Sequence, residues 1–340
     1  MLGNNQDPIS KTFWYCIPTV DWPDAVDALC LLFEVTGFVL NILTIALLFR
    51  IRHGPTHCII ILRTLAIHCL LVSIVNFLED VNPNGVKTDN YVLGTIICVF
   101  WNARFFYWIF LVASIQCMTI FSIDRVLTLY KSDHLRYTGA KRRIVVYEIT
   151  IHVFSLFITL PQILTVNLNN GGCDCAPNTI NIPFLAIIYA HVFIWYAMIF
   201  LIDGGILLCA AYFTVKWIRE TPKMEQFDDL NELSFDVIRE HEHNYERYVG
   251  KGYATASMCV VPLAVSHIIT FSYDSTYQFA SALGLTTFII NSVPQRIGGL
   301  FLIIQANVIP AILLFYLPPL RDFTITRILA PLHIVQKQKQ

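Results

Sequence analysis

Seven long apolar stretches, at 26–49, 56–78, 94–123, 144–166, 183–215, 254–272 and 292–317, are separated by polar connections. Each holds the roughly 20 residues a helix needs to cross about 30 Å of hydrocarbon, so the pattern predicts an all-α, seven-transmembrane helix bundle. The connections are not equivalent. Arg50, Arg52 and Arg63 stand around the first, six basic residues from Arg125 to Arg143 around the third, and six from Lys216 to Lys251 around the fifth. Four more follow the last stretch, whereas the N-terminus and the second, fourth and sixth connections hold only Lys11 and Lys87. Short cytoplasmic loops collect Lys and Arg, which predicts an extracellular N-terminus over 1–25, a bundle over 26–317 and a cytoplasmic end over 318–340. After Pro318-Pro319, the run Leu320 to Leu329 sets Leu320, Phe323, Ile328 and Leu329 against Arg321 and Arg327. That mixture predicts a short amphipathic eighth helix lying on the membrane.

Composition changes the picture only by exclusion. At 56% hydrophobic and 14% charged residues, a soluble chain of this size would carry more apolar surface than one core can hide, so lipid is the expected solvent. The net charge is −1 and topology accounts for the basic residues, leaving no basic stripe for nucleic acid. His68, His152 and His191 are scattered over three stretches, and Cys173-Asp174-Cys175 is too short for a metal centre. Neither a metal, a cofactor nor an enzyme active site is expected. Paired halves typical of a transporter are absent. Two classes remain: a receptor, and as the alternative a seven-helix chemosensory ion channel, whose insect type places its N-terminus in the cytosol, against this charge pattern.

The chemically sharpest run is Ser122-Ile123-Asp124-Arg125-Val126 at the end of the third stretch, followed by Leu135-Arg136-Tyr137. Gly37 and Asn41 mark the first stretch, Leu65-Ala66 the second, Cys259-Val260-Val261-Pro262 the sixth, and Asn307-Val308-Ile309-Pro310 the seventh. Together these resemble the rhodopsin-like (class A) G-protein-coupled receptors over all seven helices, in a divergent form similar to an invertebrate orphan branch. The departures are specific. Cys69 and Ile309 replace the acidic and amide groups of the family's buried sodium site, Val126 the Tyr after the Arg, Val260 the sixth-helix Trp, and Leu313 the seventh-helix Tyr. No lysine lies within the seventh stretch, so a retinal Schiff base is excluded.

The resemblance implies a plasma-membrane receptor that binds an extracellular small-molecule or peptide ligand and activates a heterotrimeric G protein. Its switch would comprise Asp124, Arg125, Pro262, Pro310, an inward-facing Tyr212, and a sixth-helix carboxylate, Glu242 or Glu246, with Glu242 favoured by spacing. Ligand contacts would come from Tyr107, eighteen residues before Arg125, with Trp108 and Leu111. Tyr107 replaces the Asp that grips amines in this family, which disfavours an amine. Arg104, Glu79, His267 and Arg296 fall near the predicted outer ends, where they either bind an ionic ligand or pair with one another, for example Glu79 with Arg104 or with Arg296. Glu34 and Asp203 lie deeper in apolar runs, as functional acids or as protonated structural donors. Of ten cysteines, Cys16, Cys98, Cys173 and Cys175 fall on the predicted outer side. The resemblance pairs Cys98 with Cys173 or Cys175, leaving Cys16 for the remaining partner.

Overall fold

The computed structural model describes residues 14–16, 24–52, 54–81, 88–130, 139–164, 166–169, 172–175, 182–222 and 256–329. Seven helical spans run over Ala25–Arg50, Thr56–Val81, Tyr91–Leu129, Ala140–Leu164, Ala186–Glu220, Ser257–Ala282 and Val293–Tyr316. All are long and apolar enough to cross a membrane, and each coincides with a predicted stretch. The third span is the axis, with 67% of its most apolar window buried, while the fourth lies at the rim with 22%. The outward residues Val153, Phe157, Ile269 and Leu32 are more than half exposed, as a lipid-facing surface requires.

Hydrocarbon offers no water to a stranded polar group, so helix ends and irregularities must be satisfied internally. Asp24 caps the first span by accepting from the backbone of Val26 and Asp27, and Asp27 returns a bond to the Asp24 N–H. Ser292 caps the seventh through the Gln295 N–H. Within the seventh span, Pro310 has no N–H to give the Ala306 carbonyl four residues back. Asn41 of the first span supplies that donor, its amide standing 3.2 Å from the Ala306 oxygen and 2.8 Å from the Gly37 oxygen. Asn41 can reach because Gly37 lets the helices close. A Cβ there would sit 2.8 Å from Ser73 Oγ and 3.0 Å from Asn307 Nδ2.

Three departures from regular helix set the register of the remaining side chains. A π-helical turn at Ile97–Asn102 precedes Arg104, which adopts a left-handed backbone with φ of 55° before the straight helix Phe105–Leu129 begins. A second π-helical turn, Tyr196–Asp203, rotates the rest of the fifth span. Asp203 faces inward as a result, and Tyr212, expected inside, is 64% exposed on the outer surface beside Phe213. In the sixth span a 3₁₀ turn, Ala256–Cys259, passes into α-helix at Val260, two residues before Pro262.

Beyond the bundle, Val166–Asn169 and Gly172–Cys175 form an antiparallel hairpin. Cys173 on that hairpin is joined to Cys98 by a disulfide with a Cα separation of 5.3 Å. Trp14–Cys16 pairs in parallel with Phe288–Ile290 between the sixth and seventh spans. After the seventh span the helix Pro318–Phe323 turns away and continues as Thr324–Leu329, where the short eighth helix was expected.

Asn41→Leu should destabilise the bundle by about 1–3 kcal/mol, the cost of leaving a buried carbonyl unsatisfied. A lowered thermal midpoint of the detergent-solubilised chain is the measurement; an unchanged midpoint would show that Ala306 is otherwise satisfied.

Candidate functional site

The third span carries Asp124 and Arg125 into the packed centre, where their side chains are 0% and 1% exposed. The Asp124 carboxylate joins three spans. Tyr147 of the fourth span donates its hydroxyl to Oδ1 at 3.1 Å, and Arg143, one turn earlier, approaches the same oxygen at 3.7 Å. His57 of the second span stands 3.1 Å from Oδ2 through Nε2, and Arg125 stands 3.6 Å from it. Arg125 also lies 6.0 Å from the Phe121 ring centroid. The carboxylate is thus faced by two guanidinium groups, an imidazole and a phenol, which together replace its lost hydration. Asp124 was expected to hold Arg125, and it does lie against it. The partners His57, Arg143 and Tyr147 were missed. Arg143 and Tyr147 share a helix face at i, i+4, the one sequence signal that could have paired them. Glu242 and Glu246 lie outside the described residues.

Towards the disulfide end, a second polar cluster links the first three spans. The Arg104 guanidinium bonds Glu79 at 2.6 Å, contacts the Asn76 carbonyl and lies over the Tyr107 ring at 4.7 Å. The Asn76 amide donates in turn to Glu34 and, at 3.3 Å, to Asp80. Glu79 and Arg104 therefore neutralise one another, the pairing that was one of the two alternatives for these residues. Tyr107 and Leu111 are buried, and Trp108 meets Trp195 of the fifth span edge-on at 5.2 Å.

Arg296 is not part of that cluster. It holds Asp24 at 2.6 Å and Asp27 at 3.0 Å, clasping the start of the seventh span to the start of the first. The Asp27 backbone N–H, reinforced by the Arg296 guanidinium, holds the Asp24 carboxyl below the usual aspartate value. His267 also lies elsewhere than expected. The sixth span continues through the polar run after residue 272 to Ala282, which leaves His267 near mid-depth and fully buried. Its Nε2 is 3.1 Å from the Ile199 carbonyl, and its ring stacks on Phe271 at 4.7 Å. Around the same depth Gln116 donates to Asp203 at 2.5 Å, and Thr270 donates to Gln305 at 3.0 Å.

The structure brings Tyr107, Arg104 and Glu79 together and sets Trp108 against the fifth span. Cys98 and Cys173 form the disulfide, resolving the choice left open by the sequence. Cys16 and Cys175 each end a strand, and their side chains lie outside the described set. Pro262 follows a change of helix type, and Pro310 is buried within the seventh span. A sideways groove of about 440 Å³ between the third and fifth spans, lined by Ile123, Val126, Ile202 and Phe213, includes none of the expected ligand residues.

No family model matches the chain. Over 162 residues, 46% of its length, it is 26% identical to the 5-hydroxytryptamine receptor 1B of Spalax ehrenbergi, and the match spans 40% of that relative. That similarity to a rhodopsin-like, class A seven-transmembrane receptor accompanies seven helices long and apolar enough to cross a membrane and the Cys98–Cys173 disulfide.

Tyr147→Phe should lower stability by about 1–3 kcal/mol, because it removes a donor from a buried carboxylate without filling its place. Loss of thermal midpoint at neutral pH is the readout, and an effect no larger than that of Tyr212→Phe on the outer surface would count against the assignment. For the Asp24–Arg296 clasp the sign follows from the depressed carboxyl. Its contribution is complete above the ordinary aspartate value of 3.8 and is lost as pH falls through the lowered one. Arg296→Gln should therefore lower stability at pH 7 and have less effect towards pH 2.

Proposed function

We propose that this chain is a plasma-membrane receptor that takes an extracellular ligand at its disulfide end and activates a heterotrimeric G protein at its Arg125 end. The observation that carries the reading is the buried Asp124 hub, which ties the third span to the second and fourth. The positive-inside rule supports an outward N-terminus, since the basic residues cluster at the end of the bundle that holds Arg125. A disulfide at the opposite end accords with an oxidising exterior.

The ligand would enter between the third, fifth, sixth and seventh spans, where Tyr107, Trp108, Leu111 and His267 contribute aromatic and polar surface. Arg104 and Glu79 then shape the site as a neutral pair, and Arg296 acts through its clasp on the first span. Activation would swing the sixth span about the irregular turn before Pro262, with Pro310 and its Asn41 contact holding the seventh. Releasing Arg125 from Asp124 would open a crevice for the G protein, and Glu242 is the proposed opposing carboxylate. Tyr212, on the lipid-facing surface, has no part in this switch.

Asp124→Asn should raise basal second-messenger output several-fold, and Arg125→Ala should reduce it at equal surface expression. Output that ignores both substitutions would overturn coupling through this pair. An N-terminal epitope accessible only after permeabilisation would overturn the orientation.

A further inference from the structure

Towards the disulfide end, the first three spans close around more acid than base. Glu34, Glu79 and Asp80 bring carboxyl groups to one cluster, and among the described residues Arg104 is the guanidinium that meets them. Arg104 is already engaged by Glu79 at 2.6 Å and by the Asn76 carbonyl. Arg296 is engaged elsewhere, by Asp24 and Asp27. The Asn76 amide donates to Glu34 and, at 3.3 Å, to Asp80, so one neutral group serves two carboxyls.

Glu34 is the exception in this cluster. It is 1% exposed, and its Oε2 atom has no hydrogen-bond partner. The Asp80 carboxyl stands beside it, so two acids face each other with no cation between them. A buried carboxylate without a donor is costly, and a like charge beside it adds to that cost. Lipid is not the reason for the placement, because Cys30 and Glu34 lie at i, i+4 and are both buried on the inward face of the first span. The cluster is also reachable from outside. The Arg104 side chain is 33% exposed and that of Glu79 11%, while the buried Tyr107 ring lies 4.7 Å from the guanidinium as an aromatic wall.

We infer that the ligand taken at the disulfide end carries a cationic nitrogen, an amine or a guanidine, and that Glu34 and Asp80 hold it. This deepens the receptor reading and rests on it. An ammonium or guanidinium group supplies the donors that Glu34 Oε2 and Asp80 lack, through charge-assisted hydrogen bonds. The neighbouring aromatic ring favours an organic cation over an inorganic ion. Tyr107 leaves the third span without an acid at its own position, and the first and second spans provide one from the opposite wall.

The test uses the full chain purified in lipid nanodiscs, where binding is read without a G protein. Phenethylamine, cationic at neutral pH, should raise the thermal midpoint by a few degrees at roughly millimolar concentration, and phenethyl alcohol, its neutral counterpart, should not. Glu34→Gln and Asp80→Asn each remove one charge and keep a hydrogen-bonding group of the same shape. Each should weaken the amine effect by about tenfold or more. Without ligand, Glu34→Gln should melt no lower than the unaltered chain, since an uncompensated charge has gone, so a lost response there is not a lost fold. Glu148→Gln on the fourth span should respond as the unaltered chain does. No response to the amine, an equal response to the alcohol, or a response that survives both Glu34→Gln and Asp80→Asn overturns the inference. A midpoint raised by sodium chloride in place of the amine also overturns it. A chain that ignores the amine in nanodiscs and still loses output through Arg125→Ala in cells overturns the cation site alone and leaves the coupling reading standing.

Discussion

A proline in a membrane helix frees a carbonyl that water cannot reach, and the way this chain satisfies it organises one side of the bundle. Asn41 crosses from the first span to the Ala306 oxygen left by Pro310. That reach requires the close approach permitted at Gly37, which in turn brings Ser73 and Asn307 to the same point. One missing N–H thus fixes the contact among the first, second and seventh spans. Arg296, with Asp24 and Asp27, fixes the first and seventh again at their ends.

Two charged clusters tie spans together, each with its own counter-groups, while Asp203 and Asp274 are buried apart from both and accept from Gln116 and Gln278. Asp124 is surrounded by His57, Arg125, Arg143 and Tyr147, while Arg104 is held by Glu79 and Asn76. Between them lie weaker polar links, Gln116 with Asp203 and Thr270 with Gln305, which join the third span to the fifth and the sixth to the seventh. Side-chain hydrogen bonds inside membranes contribute modestly, about 0.6 kcal/mol on average. Exchanging them costs less than breaking either charged cluster, so rearrangement is least costly at mid-depth and beside the fifth and sixth spans.

The seven spans were legible because the lipid constraint acts on composition alone, and a run of about 20 apolar residues has few other uses. Cys98 and the hairpin cysteines were legible through the family pattern, though only the structure chose Cys173. Geometry between helices was not legible. His57 and Tyr147 are unremarkable in sequence, and become partners of Asp124 only when the second and fourth spans close on the third. Counting residues also failed wherever the helix changed type. The π-helical turn at Tyr196–Asp203 turned Tyr212 outward, and a polar run too mixed to register as apolar extended the sixth span to Ala282 and placed His267 at mid-depth.

The strand Trp14–Cys16 lies parallel to Phe288–Ile290, so the segment before the first span is stitched to the connection leading into the seventh. With the Arg296 clasp and the Asn41 bond, the beginning and end of the bundle are fastened at three heights. The first and seventh spans behave as a single hinge post, closing the helices into a ring although the chain itself is open. A sixth span that swings about its irregular turn would move against that fixed post.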